Sequence, residues 1–390
     1  MDKRYYFDHA ATTPIDEKVY QEMQPFLTKE FGNPSSIYRE GQKANKAIME
    51  AREKVQSLIN AEDSREIIFT GSGTEADNLA IKGVGMALKD KGKHIITSEI
   101  EHHAVLHTCE FMEKHLGFDV TYLNVDEDGF INLEELKDSI RDDTILISIM
   151  MANNEIGTIQ PVKEIAKIAK DNEVYFHTDA VQAAGQIEVD VQDLGVDLLT
   201  LSAHKINGPK GVGALYVKKG VKLIPQMNGG AQERKRRGGT ENLAGIVGFG
   251  KAAELAKERL SEKQEKLIKL RDKIINNIEE NISKAILNGP RGEERLPNNV
   301  NFCFRYIEGE SILLNLDFLG IAASSGSACT SGSLDPSHVL LSLGMSHEVA
   351  HGSLRISLGY NTKEEEVDYL LEELPGVIQK IRDMSPLYDG

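Results

Sequence analysis

At 390 residues, with 40% apolar and 27% charged side chains, the chain has ordinary globular composition and is too long for one small core, so two or three cooperating domains are expected. A surplus of 61 Asp and Glu over 45 Lys and Arg gives a net charge of −16, which argues against nonspecific nucleic-acid binding and for a soluble, cytoplasmic protein. No apolar run reaches the roughly eighteen residues of a membrane span, no signal peptide follows Met1, and three cysteines without CxxC spacing make neither a disulfide framework nor a zinc knuckle.

Strand-like runs occur at Glu66–Thr70, His94–Ser98, Asp119–Val125, Thr144–Met150, Val174–Asp179 and Gly213–Val217. Helical patterns separate most of them, for example Thr74–Lys89 and Val162–Lys170. This alternation predicts an α/β fold, a mostly parallel sheet covered by helices, with ligands at the carboxyl ends of the strands. After Thr240 the texture changes. One long helix carries Leu267, Leu270, Ile274 and Ile278, followed by short strands at Asn299–Phe304 and Leu354–Leu358 and a last helix from about Lys363. These read as a second, smaller α+β domain.

Four literal motifs point elsewhere. His347-Glu348-Val349-Ala350-His351 matches the zinc-protease string, but Gly344 and Gly352 leave it at most two turns of helix, so no metal site is expected. Asn124–Glu135 imitates a calcium loop, yet the segment entering it alternates like a strand, so a turn between strand and helix is the better reading. Arg234–Arg237 is a run of four cations in an acidic chain and is read as a loop pairing with carboxylates or a phosphate. Gly71-Ser72-Gly73-Thr74-Glu75-Ala76 opens a helix after a strand, as in dinucleotide-binding folds; physically it is an anion site, and it does not say whose phosphate is held.

Three segments bear on that question. His177-Thr178-Asp179 puts an acid at the carboxyl edge of the sheet, and Ser202-Ala203-His204-Lys205 puts a lysine just past a strand-like stretch. A phosphate anchor, a carboxylate for a pyridinium nitrogen and a Schiff-base lysine together are what pyridoxal phosphate (PLP) requires. The third segment, Ser324–Gly332, surrounds Cys329 with small, polar and glycine residues and reads as an exposed loop with a candidate nucleophile. Cys109 and Cys303 lie in apolar-periodic stretches and are taken as core, and the His103/His107 pair as helix surface.

With these segments in view, the chain resembles a group I cysteine desulfurase of the NifS/IscS type, a fold-type-I PLP enzyme of the class-V aminotransferase family. The likeness runs from FDHAATTP at Phe7 to LRISLG at Leu354, through GNPSS at Gly32, GSGTEADN at Gly71, EHHAV at Glu101, NNEIG at Asn153, HTDAVQ at His177, SAHKINGPKGVGALYV at Ser202 and SSGSACTSG at Ser324. It implies a seven-stranded, mostly parallel sheet in a large domain, residues 16–254. A small domain, residues 1–15 and 255–390, would carry the cysteine loop at about 322–335.

The implied activity takes sulfur from L-cysteine, releasing alanine and leaving a persulfide on Cys329 for an iron–sulfur scaffold or another acceptor. Lys205 would hold PLP and shuttle protons, Asp179 would keep the ring nitrogen protonated, and His102 would stack on the ring and move protons. Gly73, Thr74, Ser202 and His204 would hold the phosphate, with Thr240 contributed across a homodimer. Asn154 and Gln182 would bind the ring edge, and Arg355 would clamp the substrate carboxylate. A selenocysteine lyase or an aminotransferase does not need the small-residue cysteine run, a noncatalytic scaffold does not need Lys205 and Cys329, and a nicotinamide oxidoreductase would rest on Gly71–Ala76 alone.

Overall fold

The structure, a computed structural model, describes residues 4–325, 336–386 and 388. The chain enters through β1 (Tyr5–Tyr6), α1 (Glu17–Thr28) and α2 (Arg39–Leu58). It then alternates through β2 (Ile67–Thr70), α3 (Gly73–Leu88), β3 (His94–Ser98), α4 (His103–Leu116), β4 (Asp119–Leu123) and α5 (Leu133–Ser139). Next come β5 (Thr144–Ser148), α6 (Val162–Asp171), β6 (Tyr175–Asp179), α7 (Val191–Leu194), β7 (Leu198–Ser202) and β8 (Gly213–Val217).

These strands form one seven-stranded sheet in the order β2-β8-β7-β6-β5-β3-β4. It is parallel except at β8, which runs antiparallel to both β2 and β7. The apolar runs are continuous because both faces are covered. Ile68, Ile95, Leu146, Leu198 and Leu215 pack into the core under α3 and α4. Their neighbours Ile67, Phe69, Ile96, Ile147, Leu199 and Ala214 point the other way, into the core formed with α1, α2, α6 and the helix after Asn242.

The second part begins after α8 (Gln232–Lys235), a short turn. The single long helix expected after Thr240 is two, α9 (Leu243–Glu258) and α10 (Leu260–Asn281), breaking at Arg259. The break has a packing cause. α9 is rich in Gly and Ala and lies against α1 and α2, whereas α10 is amphipathic and packs on the last helix. Then follow β9 (Ala285–Leu287), β10 (Asn299–Phe304), α11 (Gly309–Phe318), β11 (Ile321–Ala322), α12 (His338–Ser342), α13 (His347–His351), β12 (Ser353–Ser357) and α14 (Glu364–Met384).

Strands β12-β10-β9 make an antiparallel sheet, and β1 pairs in parallel with β11. Phe7 joins Leu267, Ile274, Phe302, Leu354 and Leu370 in their core. The amino-terminal segment thus leaves the small sheet, where Ser357 N donates to Phe7 O at 2.7 Å, and crosses to the end of the large one. There Thr13 N donates to the His204 carbonyl at 3.0 Å.

The zinc-like string is the five-residue helix α13, capped by the Ser346 hydroxyl. The calcium-like string is the turn between β4 and α5, where Asp126 Oδ1 accepts the amides of Asp128 and Phe130. Within the basic run, Arg237 pairs with Glu75 at 2.8 Å.

Candidate active site

A cavity of about 240 Å³ opens at the carboxyl ends of β2, β6 and β7. Gly73, Thr74, His102, Asn154, Asp179, Gln182, Ser202, His204, Lys205 and Arg355 all line it. These residues come from six separate stretches of sequence, and only the topology brings them together. Cys329 lies outside the described residues. Thr240 is exposed and does not line the cavity of its own chain.

The floor follows from the strand ends. At the mouth of β2, Ser72 caps α3, its hydroxyl accepting Glu75 N at 3.1 Å. The first-turn amides of Gly73 and Thr74 have no carbonyl one turn back, so they are donors for an anion. Glycine is needed at 73. A Cβ there would stand 3.0 Å from Val181 Cγ2 and 3.4 Å from Ser202 Cβ, filling the cradle. Glu75, in the same turn, would repel an anion, but Arg237 neutralises it and Gly71 N donates to it at 2.7 Å.

Asp179 ends β6 and is buried, and its Oδ1 accepts Val181 N at 2.8 Å. Burial raises its pKa, opposed by the Val181 amide and by Lys205. Asp77, one turn along α3, is 1% exposed and its pKa is also pushed up, first by burial and then by Asp179. Lys205 follows β7 in a single 3-10 turn, and its Nζ donates to the carbonyls of Ala11 (2.8 Å) and Ala10. Gln182 Nε2 donates to the same Ala10 carbonyl at 3.0 Å.

His102 caps α4: its Nδ1 accepts Ala104 N at 3.1 Å. Burial, then Lys205 and the histidines 103, 338 and 107, lower its pKa to about 4. The ring is therefore neutral at pH 7, and with Nδ1 accepting, the proton sits on Nε2. His204 is likewise lowered to about 4, by burial and then by Lys205 and Lys210.

Arg355, on β12, reaches the cavity from the small sheet. Its Nη1 donates to Asn154 O and its Nη2 to Asp8 Oδ1, each at 3.0 Å. Its Nε is buried without a partner among the described residues, a donor suited to an anionic ligand group.

Asp8, Asp77 and Ala10–Ala11 belong to the site as well. Asp8, Ala10 and Ala11 lie in the FDHAATTP stretch and Asp77 in GSGTEADN, so membership in those motifs was the only signal for them. His103 is not free helix surface: it is half-buried, its ring 4.8 Å from those of both His107 and His338.

These residues fit PLP: an amide cradle that a Cβ would fill, a buried acid at the strand edge, a lysine opposite and an orphaned guanidinium N–H. Among the described residues no helix is long and apolar enough to cross a membrane.

A family model described as aminotransferase class-V matches residues 5–370. The chain is 57% identical over 390 residues to the cysteine desulfurase IscS of Clostridium botulinum, covering 100% of this chain and 98% of that protein. It is 58% identical over 386 residues to the cysteine desulfurase IscS of Methanosarcina thermophila, covering 99% and 95%. Among solved structures, a NifS-like protein superposes with a TM-score of 0.91 at 40% identity, covering 97% of this chain and all of that one. SspA in complex with cysteine gives 0.80 at 38%, covering 91% and 99%.

Proposed function

We propose how the pocket works from the premise that this chain belongs to the aminotransferase class-V family and is a group I cysteine desulfurase, an enzyme of a PLP-dependent family. The observation that carries the proposal is the convergence of Lys205, Asp179, His102 and the α3 amides on one cavity with Arg355 at its edge. PLP, when bound, supplies an electron sink for the substrate's Cα. Gly73, Thr74, Ser202 and His204 would hold its phosphate, and Asn154 and Gln182 its ring edge. Thr240 would add a phosphate contact across a homodimer.

Lys205 Nζ would hold the cofactor and then move the proton at the substrate Cα. Asp179, a buried carboxyl, would keep the ring nitrogen protonated; a cation beside it offsets the cost of its own burial. His102, neutral and protonated at Nε2, is in the right form to stack on the ring and pass a proton. Arg355 would bind the substrate carboxylate through its free Nε, setting the orientation on which the reaction depends.

Cys329 Sγ, as thiolate, would then attack the substrate sulfur. The S–S bond forms as the substrate's Cβ–S bond breaks, and Cβ takes up a proton. L-Cysteine and the thiol thus give L-alanine and a persulfide, with atoms and electrons balanced. The acceptor is proposed to be an iron–sulfur scaffold or another sulfur carrier, the compartment the cytoplasm. The large sheet with residues 16–254 and the small sheet with residues 1–15 and 255–390 are proposed as the two domains.

The test is the visible spectrum of purified protein supplied with PLP, then with cysteine. The expected outcome is a yellow protein that forms alanine and a persulfide on Cys329. Lys205→Ala should abolish the colour, and Cys329→Ala should keep it but stop turnover. A protein that stays colourless with PLP present refutes the Lys205 assignment.

A further inference from the structure

The stretch that carries Cys329 is held at both described ends by residues next to the pocket, and those holds are built with more than ordinary turn chemistry. On the amino-terminal side Ser324 forms an isolated antiparallel bridge with Arg355: Ser324 N donates to Arg355 O at 3.2 Å and Arg355 N to Ser324 O at 2.6 Å. On the carboxyl-terminal side Ser337 is 4% exposed, and its hydroxyl donates to Glu155 Oε2 at 2.5 Å. The next residue, His338, donates from Nε2 to the Glu101 carbonyl at 3.0 Å, since a carbonyl can only accept.

Each anchor is a pocket residue or the immediate neighbour of one. Glu155 follows Asn154, Glu101 precedes His102, and Arg355 lines the pocket itself. Glu155 is also fixed where it stands. Its carbonyl accepts Asn299 Nδ2 at 2.9 Å and Asn301 Nδ2 at 3.0 Å, and its amide donates to Asn153 Oδ1 at 2.8 Å. A buried carboxyl is costly unless something needs it there. Capping α12 requires only the Ser337 hydroxyl, which accepts Leu340 N at 3.3 Å, and not Glu155.

We infer that Glu155, through Ser337, is a positioning residue for sulfur transfer: it fixes the carboxyl-terminal root of the Cys329 segment relative to the bound substrate. The inference rests on the desulfurase reading above and adds to it a role for the acid of the NNEIG stretch. Burial raises the Glu155 pKa to about 7, opposed by the Ser337 hydroxyl and by Arg355. The tether is accordingly strongest above that pH, where the carboxylate is the better acceptor.

Three variants separate positioning from capping. Ser337→Ala removes both tether and cap, Glu155→Leu removes the tether and keeps the cap, and Ser337→Thr keeps the hydroxyl. Two steps are read in the PLP-loaded protein: the absorbance change against cysteine concentration, and the single-turnover rate of persulfide formation at residue 329, followed by peptide mass. A third readout is the alkylation rate of Cys329 in cofactor-free protein, resolved by peptide from the buried Cys109 and Cys303.

In Ser337→Ala and Glu155→Leu the persulfide rate should fall roughly tenfold to a hundredfold, the scale expected for a misplaced reacting group. The cysteine concentration at half-maximal absorbance change should stay within about twofold, because uniform binding is untouched. Alkylation of Cys329 should change in the same two variants, and Ser337→Thr should restore all three readouts. An unchanged persulfide rate, or a half-saturation shift equal to the rate loss, overturns the inference. If the wild-type chain itself gives no absorbance change and no persulfide at Cys329, the desulfurase reading falls first and this inference with it.

Discussion

Substituting Arg52 by Met should destabilise the protein far more than any surface charge change. Arg52, on α2, and Glu233 are both buried and meet bidentately, Nη1 to Oε2 at 2.6 Å and Nη2 to Oε1 at 2.8 Å. Glu233 Oε2 also accepts Phe69 N at 3.1 Å, and the guanidinium lies 4.7 Å from the Phe69 ring centroid. Glu233, Arg234 and Lys235 all have positive φ, 42°, 57° and 67°, which costs each about 1–2 kcal/mol. The ion pair holds that turn together with Arg234, whose Nη2 donates to the carbonyls of Arg65 at 2.8 Å and Ile67 at 2.7 Å.

Without Arg52 the Glu233 carboxylate is left buried with one amide donor. Breaking a buried pair in this way costs about 3–5 kcal/mol. For a unit of 150–250 residues that corresponds to a loss of roughly 6–20 °C in melting temperature. The assay is thermal unfolding of wild type, Arg52→Met, Glu233→Leu and the double variant. The double variant should recover much of the loss, because no unpaired charge remains. A drop of less than about 2 °C for Arg52→Met would show that the pair contributes nothing to the turn.

Three further outcomes are expected. His102→Asn should keep the yellow colour while desulfurase turnover falls by about 10²–10⁴, the usual contribution of a positioned proton-transfer group; turnover close to wild type would remove His102 from the mechanism. Arg355→Lys should raise the KM for cysteine about 10- to 100-fold with a smaller effect on kcat, since a forked charged hydrogen bond is worth about 1.5–3 kcal/mol; an unchanged KM would mean another group binds the carboxylate.

The third concerns pH. Burial raises the Glu101 pKa from 4.5 to about 8, so the folded state keeps a proton that the unfolded chain releases. The stability this confers is complete below pH 4.5 and is lost as pH rises through 8. Glu101→Gln, neutral throughout, should lack that decline, so denaturation midpoints at pH 5 and pH 8.5 should converge relative to wild type. Parallel profiles would contradict the assignment.

Much of the large sheet was legible because strands buried on both faces leave unbroken apolar runs. His94–Ser98 and Gly213–Val217 coincide with β3 and β8 to the residue, and the other runs err by one or two residues at an end. The break at Arg259 was not legible, since α9 and α10 are both helical in composition and only their different packing partners divide them. In the site, residues inside dense motifs could be assigned roles singly. What no local pattern shows is which of them share charge: the Arg355–Asp8 contact spans 347 positions, as outside the site Arg52–Glu233 spans 181. The His103 environment was missed for the same reason, because His338 comes from another part of the chain.

That sharing of charge is where the pocket's chemistry is decided. Asp77 and Asp179 are both buried, and the Asp179 charge adds to the cost of ionising Asp77. His177 stands 3.7 Å from Asp77 but cannot neutralise it, because burial lowers its pKa to about 3. Its two ring nitrogens are engaged with Ser148 Oγ at 2.9 Å and Thr200 Oγ1 at 3.0 Å. Asp77 Oδ1 has no hydrogen-bond partner among the described residues. Two acids so placed do not both ionise readily. One can carry the charge if a cation comes close, and the other then remains a neutral acid. Lys205 is the cavity-wall cation that opposes the rise at Asp179, and the proposed chemistry has it move protons. A ring nitrogen that takes up a proton would replace it at Asp179, so the buried acid and the mobile lysine are two requirements of the same arrangement.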